Sequence, residues 1–200
     1  MSDVSLVRRD FIVSGSLAYW GTVIFIISEA AIFAFLLFSY YYFAIQPSPV
    51  EWPPSGLPNL TLSLIGTLIL VASAPVAWIA ARAAERGNRG VMLIALAAVA
   101  AMSVAYMVLQ YFDWRSKPFT FQNAYGSLYY TITGFHVAHT LVGVVMVLAV
   151  IAWTGLGYIG RSNSSPVSII AIYWYFLAVI VIAVFFTLNL TPYLGLTQHV

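Results

Sequence analysis

The 200-residue chain contains no cysteine, so disulfides, thiol nucleophiles and thiolate-held metals are excluded from its chemistry. Charge is nearly as scarce. Lys and Arg number eight and Asp and Glu six, so 7% of the residues are charged, against about 25% in ordinary soluble domains. The resulting net charge of +2 is too small to point to nucleic acid. Only three histidines are present, which leaves few ligands for a metal. The sequence has no P-loop, no nucleophile with a base at plausible spacing and no Gly-rich phosphate cradle. Internal repeats, the mark of many secondary transporters, are absent as well.

What the chain has is apolar surface: 62% of its residues are hydrophobic. Residues 52–81, 90–112, 118–160 and 162–200 carry no Asp, Glu, Lys or Arg, and residues 11–50 carry only Glu29. Each run holds the roughly 20 apolar residues needed to cross a bilayer core of about 30 Å. The expected fold is all-α: one polytopic domain over residues 1–200 with five transmembrane helices, near 17–43, 59–81, 91–112, 127–153 and 167–190. Pro47, Pro49, Pro53, Pro54 and Pro58 interrupt helix in the first connection. Gly87, Asn88 and Gly90 mark a tight second turn, 113–123 is a polar and aromatic third connection, and Pro166 is placed to start the fifth helix. Arg8 and Arg9 precede a run far longer than a signal-peptide core, so the first helix is expected to stay in the mature protein.

Basic residues set the expected orientation. Arg8, Arg9, Arg82, Arg86, Arg89 and Arg161 fall on one side by alternation, leaving Arg115 and Lys117 on the other. The N-terminus is expected inside and the C-terminus outside. Tyr40, Tyr41, Tyr42, Tyr129 and Tyr130 then fall near the outer interface, and Tyr173 and Trp174 near the inner one, as aromatic belts would. Ala97, Ala101 and Ala105 recur at four-residue spacing and predict a smooth face for close helix approach, as do Gly134 and Ala138. Pro75 is expected to kink the second helix by freeing the carbonyl of Val71.

Glu29 is the first candidate for chemistry. A carboxylate at mid-membrane costs roughly 2.5–3.5 kcal/mol on insertion scales, so a chain that keeps one is expected to bury and use it. It lies 12 residues past Leu17, about 18 Å deep at ~1.5 Å per residue. His136 and His139 stand three apart on one face of the fourth helix, and His139 is equally deep counted from Ser127. A hydrogen bond from Glu29 to one of them is expected, and the bland reading is polar glue between helices. Two neighbours on one helix cannot be the two axial ligands of one haem iron. The third histidine, His199, is the last residue but one of the sequence, so no metal site is expected. Arg82, Arg86 and Arg89 form a basic cluster, read either as a topology determinant or as phospholipid headgroup contacts.

Three segments together resemble a known family. Residues 28–43 (SEAAIFAFLLFSYYYF) resemble subunit III of the haem–copper respiratory oxidases. Residues 134–143 (GFHVAHTLVG) resemble that family's fourth helix in its five-helix form, and 173–177 (YWYFL) is similar to its final helix. The resemblance extends over about 16–195. It implies a non-redox subunit beside oxidase subunits I and II, which hold the haem and copper, with no cofactor of its own. It further implies support of proton uptake by subunit I and phospholipid held in a cleft between two helices and three. Glu29 then matches the family's membrane-embedded glutamate, and His136 and His139 its paired histidines. Tyr175 and Ala178 stand where the family's last helix usually carries His and Asp.

The expected function is therefore subunit III of a proton-pumping terminal oxidase that reduces oxygen to water. The expected location is the plasma membrane of a prokaryote, with the mitochondrial inner membrane as the alternative. Rival readings are an accessory subunit of a nitric oxide reductase and a small proton-coupled transporter using Glu29.

Overall fold

The computed structural model describes residues 3–46, 52–54, 56–159 and 164–194, with side chains from Leu17 onward. Five helices follow one another: α1 (Asp3–Ala44), α2 (Thr61–Glu85), α3 (Arg89–Ser116), α4 (Ala124–Gly155) and α5 (Ser165–Phe185). A π-helical segment, Phe186–Leu190, and a 3₁₀ turn, Thr191–Leu194, prolong α5. All five are long and apolar enough to span a membrane. Pro47, Pro49, Arg161 and His199 lie outside the described residues, as do the side chains of Arg8 and Arg9, and the orientation of the termini stays an expectation.

Helices α2 and α3 run past their apolar runs, and α4 past the expected 127–153, because their ends are capped by polar groups that hydropathy does not weigh. At the end of α2, Gly87 adopts φ 73°, its N–H donates to Ala84 O at 3.0 Å, and the Asn88 N–H donates to Ala83 O at 2.8 Å. This is a Schellman stop, in which a left-handed glycine returns two amides to the last turn. The Asn88 side chain then accepts from Val91 N at 3.1 Å and opens α3. Asn123 does the same for α4, accepting from Gly126 N at 2.6 Å. The fifth helix carries Pro166 in its first turn, as expected.

Helix α2 packs on α3 and α5, α3 on α4, and α4 on α5, so these four close a ring. Helix α1 lies against α4 and α5. The α2–α3 pair is thus joined to the remaining helices along two seams. That differs from the division into two helices and three about an open cleft that the resemblance implies.

The seam residues also differ from the expected ones. Ala97 and Ala101 are exposed and Ala105 is half-buried, so that stripe faces away from the bundle. Helix α3 turns Leu96, Val99, Ser103, Tyr106 and Gln110 inward instead, because these bulkier and polar groups gain most from partners. The small residues at the seam belong to α2: Ala77, Ala80, Ala81, Ala83 and Ala84 are buried. Ala138 is exposed and nothing lies within 4 Å of a Cβ built on Gly134. The close approach on α4 is at Gly143, where a Cβ would meet Trp174 Cζ3 at 2.9 Å and Tyr173 Cε1 at 3.2 Å.

Tyr173 and Trp174 are therefore core residues rather than an interfacial belt, exposed by 1% and 0%. Trp174 Nε1 donates to Ser73 Oγ at 2.9 Å, and Ser73 Oγ donates to Leu70 O at 2.6 Å. A buried indole N–H, cut off from water, needs such a partner. Tyr40 and Tyr129 are buried too, packed with Trp52, Phe119 and Tyr125 in edge-to-face contacts at 5.0 to 5.4 Å and one tilted contact, Tyr40 with Tyr125, at 6.1 Å. Of the five expected outer tyrosines, Tyr42 is exposed, and Tyr41 and Tyr130 are half-buried.

Gly143→Ala is expected to cost about 1–3 kcal/mol, because the buried indole of Trp174 has nowhere to retreat. Thermal unfolding of the purified protein in mild detergent checks this; an unchanged Tm would show that the α4–α5 seam is looser than described.

Candidate functional site

Helix α1 shows one packed face. Ile26, Glu29, Phe33, Leu36, Leu37, Tyr40 and Ala44 recur every three or four residues and are buried or half-buried. Ile24, Ile27, Phe35 and Phe38, between them, are exposed. The carboxylate thus sits on the single stripe by which α1 adheres to α4 and α5.

There Glu29 Oε2 meets His139 Nε2 at 2.7 Å, with both side chains mostly buried, 17% and 14% exposed. The other ring nitrogen, Nδ1, lies 2.7 Å from the carbonyl of Phe135. A carbonyl only accepts, so Nδ1 carries a proton. The contact between Nε2 and Oε2 then needs one proton more. Either the imidazole is neutral and glutamic acid donates, or imidazolium donates to carboxylate. Both states sum to zero charge, which is what a low-dielectric surrounding favours. Tyr173 O–H donates to the His139 carbonyl at 3.0 Å, and the Phe33 ring stands 5.1 Å from the imidazole, so three helices fix the pair.

His136 is not part of this bond. It points into the ring of helices, fully buried, edge-on to Phe33 at 6.1 Å and to Tyr106 at 5.6 Å. Neither of its nitrogens has a hydrogen-bond partner among the described residues. Shared helical spacing brought the two histidines to one side of α4, but a step of three residues turns the side chain by about 60°. That is enough to send one toward α1 and the other toward α3.

Both nitrogens of His139 are engaged, and His136 is enclosed by aromatic rings. Among the described residues no three His, Asp or Glu side chains come together.

A second charged cluster was not foreseen. Asp113 and Lys117 form an ion pair at 3.0 Å with side chains only 3% and 5% exposed. Tyr129 O–H donates to Asp113 Oδ2, and Lys117 Nζ stands 5.3 Å from the centre of the Tyr129 ring. The i, i+4 spacing of Asp113 and Lys117 is a helical signal. It was masked because the apolar run stops at 112, whereas α3 continues to Ser116. At the helix C-terminus the lysine also faces the negative end of the macrodipole.

The three arginines separate. Arg89 Nη2 donates to the Thr154 carbonyl and so ties the start of α3 to the end of α4. Arg82 pairs with Glu85 at 3.2 Å, both about half exposed, and lies 5.2 Å over the Trp78 ring. Arg86, at the end of α2, has no partner among the described residues. On α5, Tyr175 is exposed and Ala178 buried.

The family model "Cytochrome c oxidase subunit III" matches residues 7–192. The chain belongs to the cytochrome c oxidase subunit III family. Cytochrome c oxidase subunit 3 of the platypus Ornithorhynchus anatinus is 30% identical over 169 residues, covering 80% of this chain and 64% of that protein. The corresponding subunits of the antelopes Aepyceros melampus and Litocranius walleri are each 31% identical over the same shares. The chain therefore spans less than two thirds of the length of these relatives.

Glu29→Gln keeps a donor for Nε2 of a neutral His139 and is expected to fall within about 1 kcal/mol of the parent, whereas Glu29→Ala strands that nitrogen and costs about 1–3 kcal/mol. Equal thermal midpoints for the two variants would show that the bond adds no stability. Asp113→Asn, which leaves the Lys117 charge buried, is expected to cost about 3–5 kcal/mol, and much of that should return when Lys117→Met is added. A double-mutant cycle on unfolding in mild detergent measures the coupling; additive losses would mean that the pair is not coupled.

Proposed function

We propose that this chain is the non-redox third subunit of a proton-pumping haem–copper terminal oxidase, which reduces oxygen to water. Family membership over residues 7–192 is the observation that carries this reading. In it, haem and copper belong to subunits I and II, and this chain stabilises subunit I, supports its proton uptake and holds phospholipid. The membrane is the plasma membrane of a prokaryote.

The chemistry of the side chains supports such a role. The carboxylate of Glu29 is committed to one imidazole, and that imidazole to a backbone carbonyl. A transporter would need its carboxylate to exchange protons with both sides. Here the pair is locked to Tyr173 and Phe33 on the seam that holds α1 in place. Its geometry suits a fixed joint, through which the position of α1 depends on one shared proton.

Purification in mild detergent through a tag on this chain is expected to bring down haem- and copper-containing partners with oxygen-reducing activity, visible as a haem absorption spectrum. Recovery of a colourless protein without partners would overturn the proposal. Proton transport by the isolated chain in liposomes would do so too, in favour of a carrier.

A further inference from the structure

Within the ring of α2, α3, α4 and α5 lies a cavity of about 20 Å³ whose walls are largely polar. Thr67 comes from α2, Tyr106 and Gln110 from α3, Tyr129 and Thr133 from α4, and Asn189 from the segment that prolongs α5. Two of these groups are already committed. Tyr129 O–H donates to Asp113, and Thr133 Oγ1 donates to Tyr129 O at 2.7 Å while accepting from Trp114 Nε1 at 3.0 Å. Others are not. Asn189 is only 4% exposed, and its Oδ1 has no hydrogen-bond partner among the described residues. The buried hydroxyls of Thr67 and Tyr106 make no hydrogen bond among the described residues either. Leaving a buried acceptor unpaired is costly, and here the acceptor and two unused donors line one small space.

The backbone that carries Asn189 is itself irregular. It belongs to the π-helical segment Phe186–Leu190, and single π-helical turns are rare and gather at functional sites. The same stretch of chain reaches the other way to α1. Tyr41 O–H lies 3.3 Å from Thr187 Oγ1 and 3.2 Å from Thr191 Oγ1. One side of this stretch therefore holds the end of α1, while the other presents an unpaired carbonyl to the cavity.

We infer that this cavity is a binding site for one internal water molecule, which donates to Asn189 Oδ1 and accepts from the hydroxyls of Thr67 and Tyr106. Size and charge select the ligand. A water needs about 10–15 Å³ and two to four polar partners, so the cavity admits one water and nothing larger. No side chain lining it is charged, and the nearby carboxylate of Asp113 is already neutralised by Lys117 at 3.0 Å. A cation of the same size would thus be buried without a counter-charge. An apolar guest would leave the Asn189 carbonyl as unpaired as before. The water joins α2 and α3 to the π-helical segment, and through Thr187 and Thr191 it steadies the seat of Tyr41 on α1. This site does not depend on the subunit assignment.

Cryo-electron microscopy of the protein purified through this chain, with the subunits that accompany it, tests the site directly at a resolution that shows ordered water. One density peak is expected about 2.6–3.2 Å from Asn189 Oδ1. An empty cavity, or an Asn189 carbonyl bonded to a protein donor instead, would overturn the inference. Thermal unfolding in mild detergent gives a second reading. Asn189→Leu, close in volume, removes the acceptor and is expected to lower Tm by several degrees, because a well-ordered water then loses a partner that leucine cannot replace. In a cavity without water the same change removes an unpaired carbonyl, so an unchanged or higher Tm would count against the site. Thr67→Val makes the same comparison from α2 should Asn189→Leu fail to fold: a lower Tm is expected, and an unchanged one would overturn the site.

Discussion

The bond between Glu29 and His139 is the constraint on which the placement of α1 depends. Helix α1 carries large apolar side chains all around, so hydrophobicity by itself would not select which face meets α4 and α5. Nor does lipid push helices together, since acyl chains are as apolar as leucine. A carboxyl group is different: it has few acceptable surroundings in a membrane. Rotating α1 by even a third of a turn would take Glu29 from its imidazole and leave two polar groups without partners. The pair therefore acts as a register pin, and Phe33, Tyr40 and Ala44 pack where that pin puts them.

The same rule explains the opposite end of the bundle. Asp113 is buried among apolar core residues, and it is paired with Lys117 and given a phenolic donor by Tyr129. The two clusters differ in kind. Glu29 and His139 share one proton across two distant helices, so they link tertiary structure. Asp113 and Lys117 are one turn apart on a single helix, and their long-range link comes through Tyr129. Around that tyrosine the aromatic contacts of Phe119, Tyr125, Trp52 and Tyr40 join the loops to the helix ends.

Much of this was legible in the sequence, because lipid allows few solutions. Four uncharged runs and a fifth that carries only Glu29 can only be five spans, and an isolated mid-membrane Glu at the depth of a His on an antiparallel helix predicts contact. Facing was not legible. Alanine spacing on α3 suggested a contact surface, yet the neighbours of Leu96 and Tyr106 decided which side turned inward. The choice between His136 and His139 was beyond sequence for the same reason: both satisfy the spacing, and only the position of α1 separates them. The Asp113–Lys117 pair was hidden by a boundary drawn from hydropathy, which ends where charge begins, whereas a helix ends where its backbone finds caps.

Tyr175 and Ala178 follow from the same accounting. A carboxylate at the buried position of Ala178 would be one more charge within the apolar bundle, tolerable only with a partner such as the histidine the family usually carries nearby. A histidine at position 175 without that carboxylate would be a polar ring left on an exposed, apolar face. If a histidine and a carboxylate at these positions pair with one another, replacing both strands neither. What remains at position 175 is a tyrosine, which brings an apolar ring and a polar tip to the groove beside Trp78 and Arg82. Tyr175 thus adds an amphipathic surface beside the exposed Trp78–Arg82 pair.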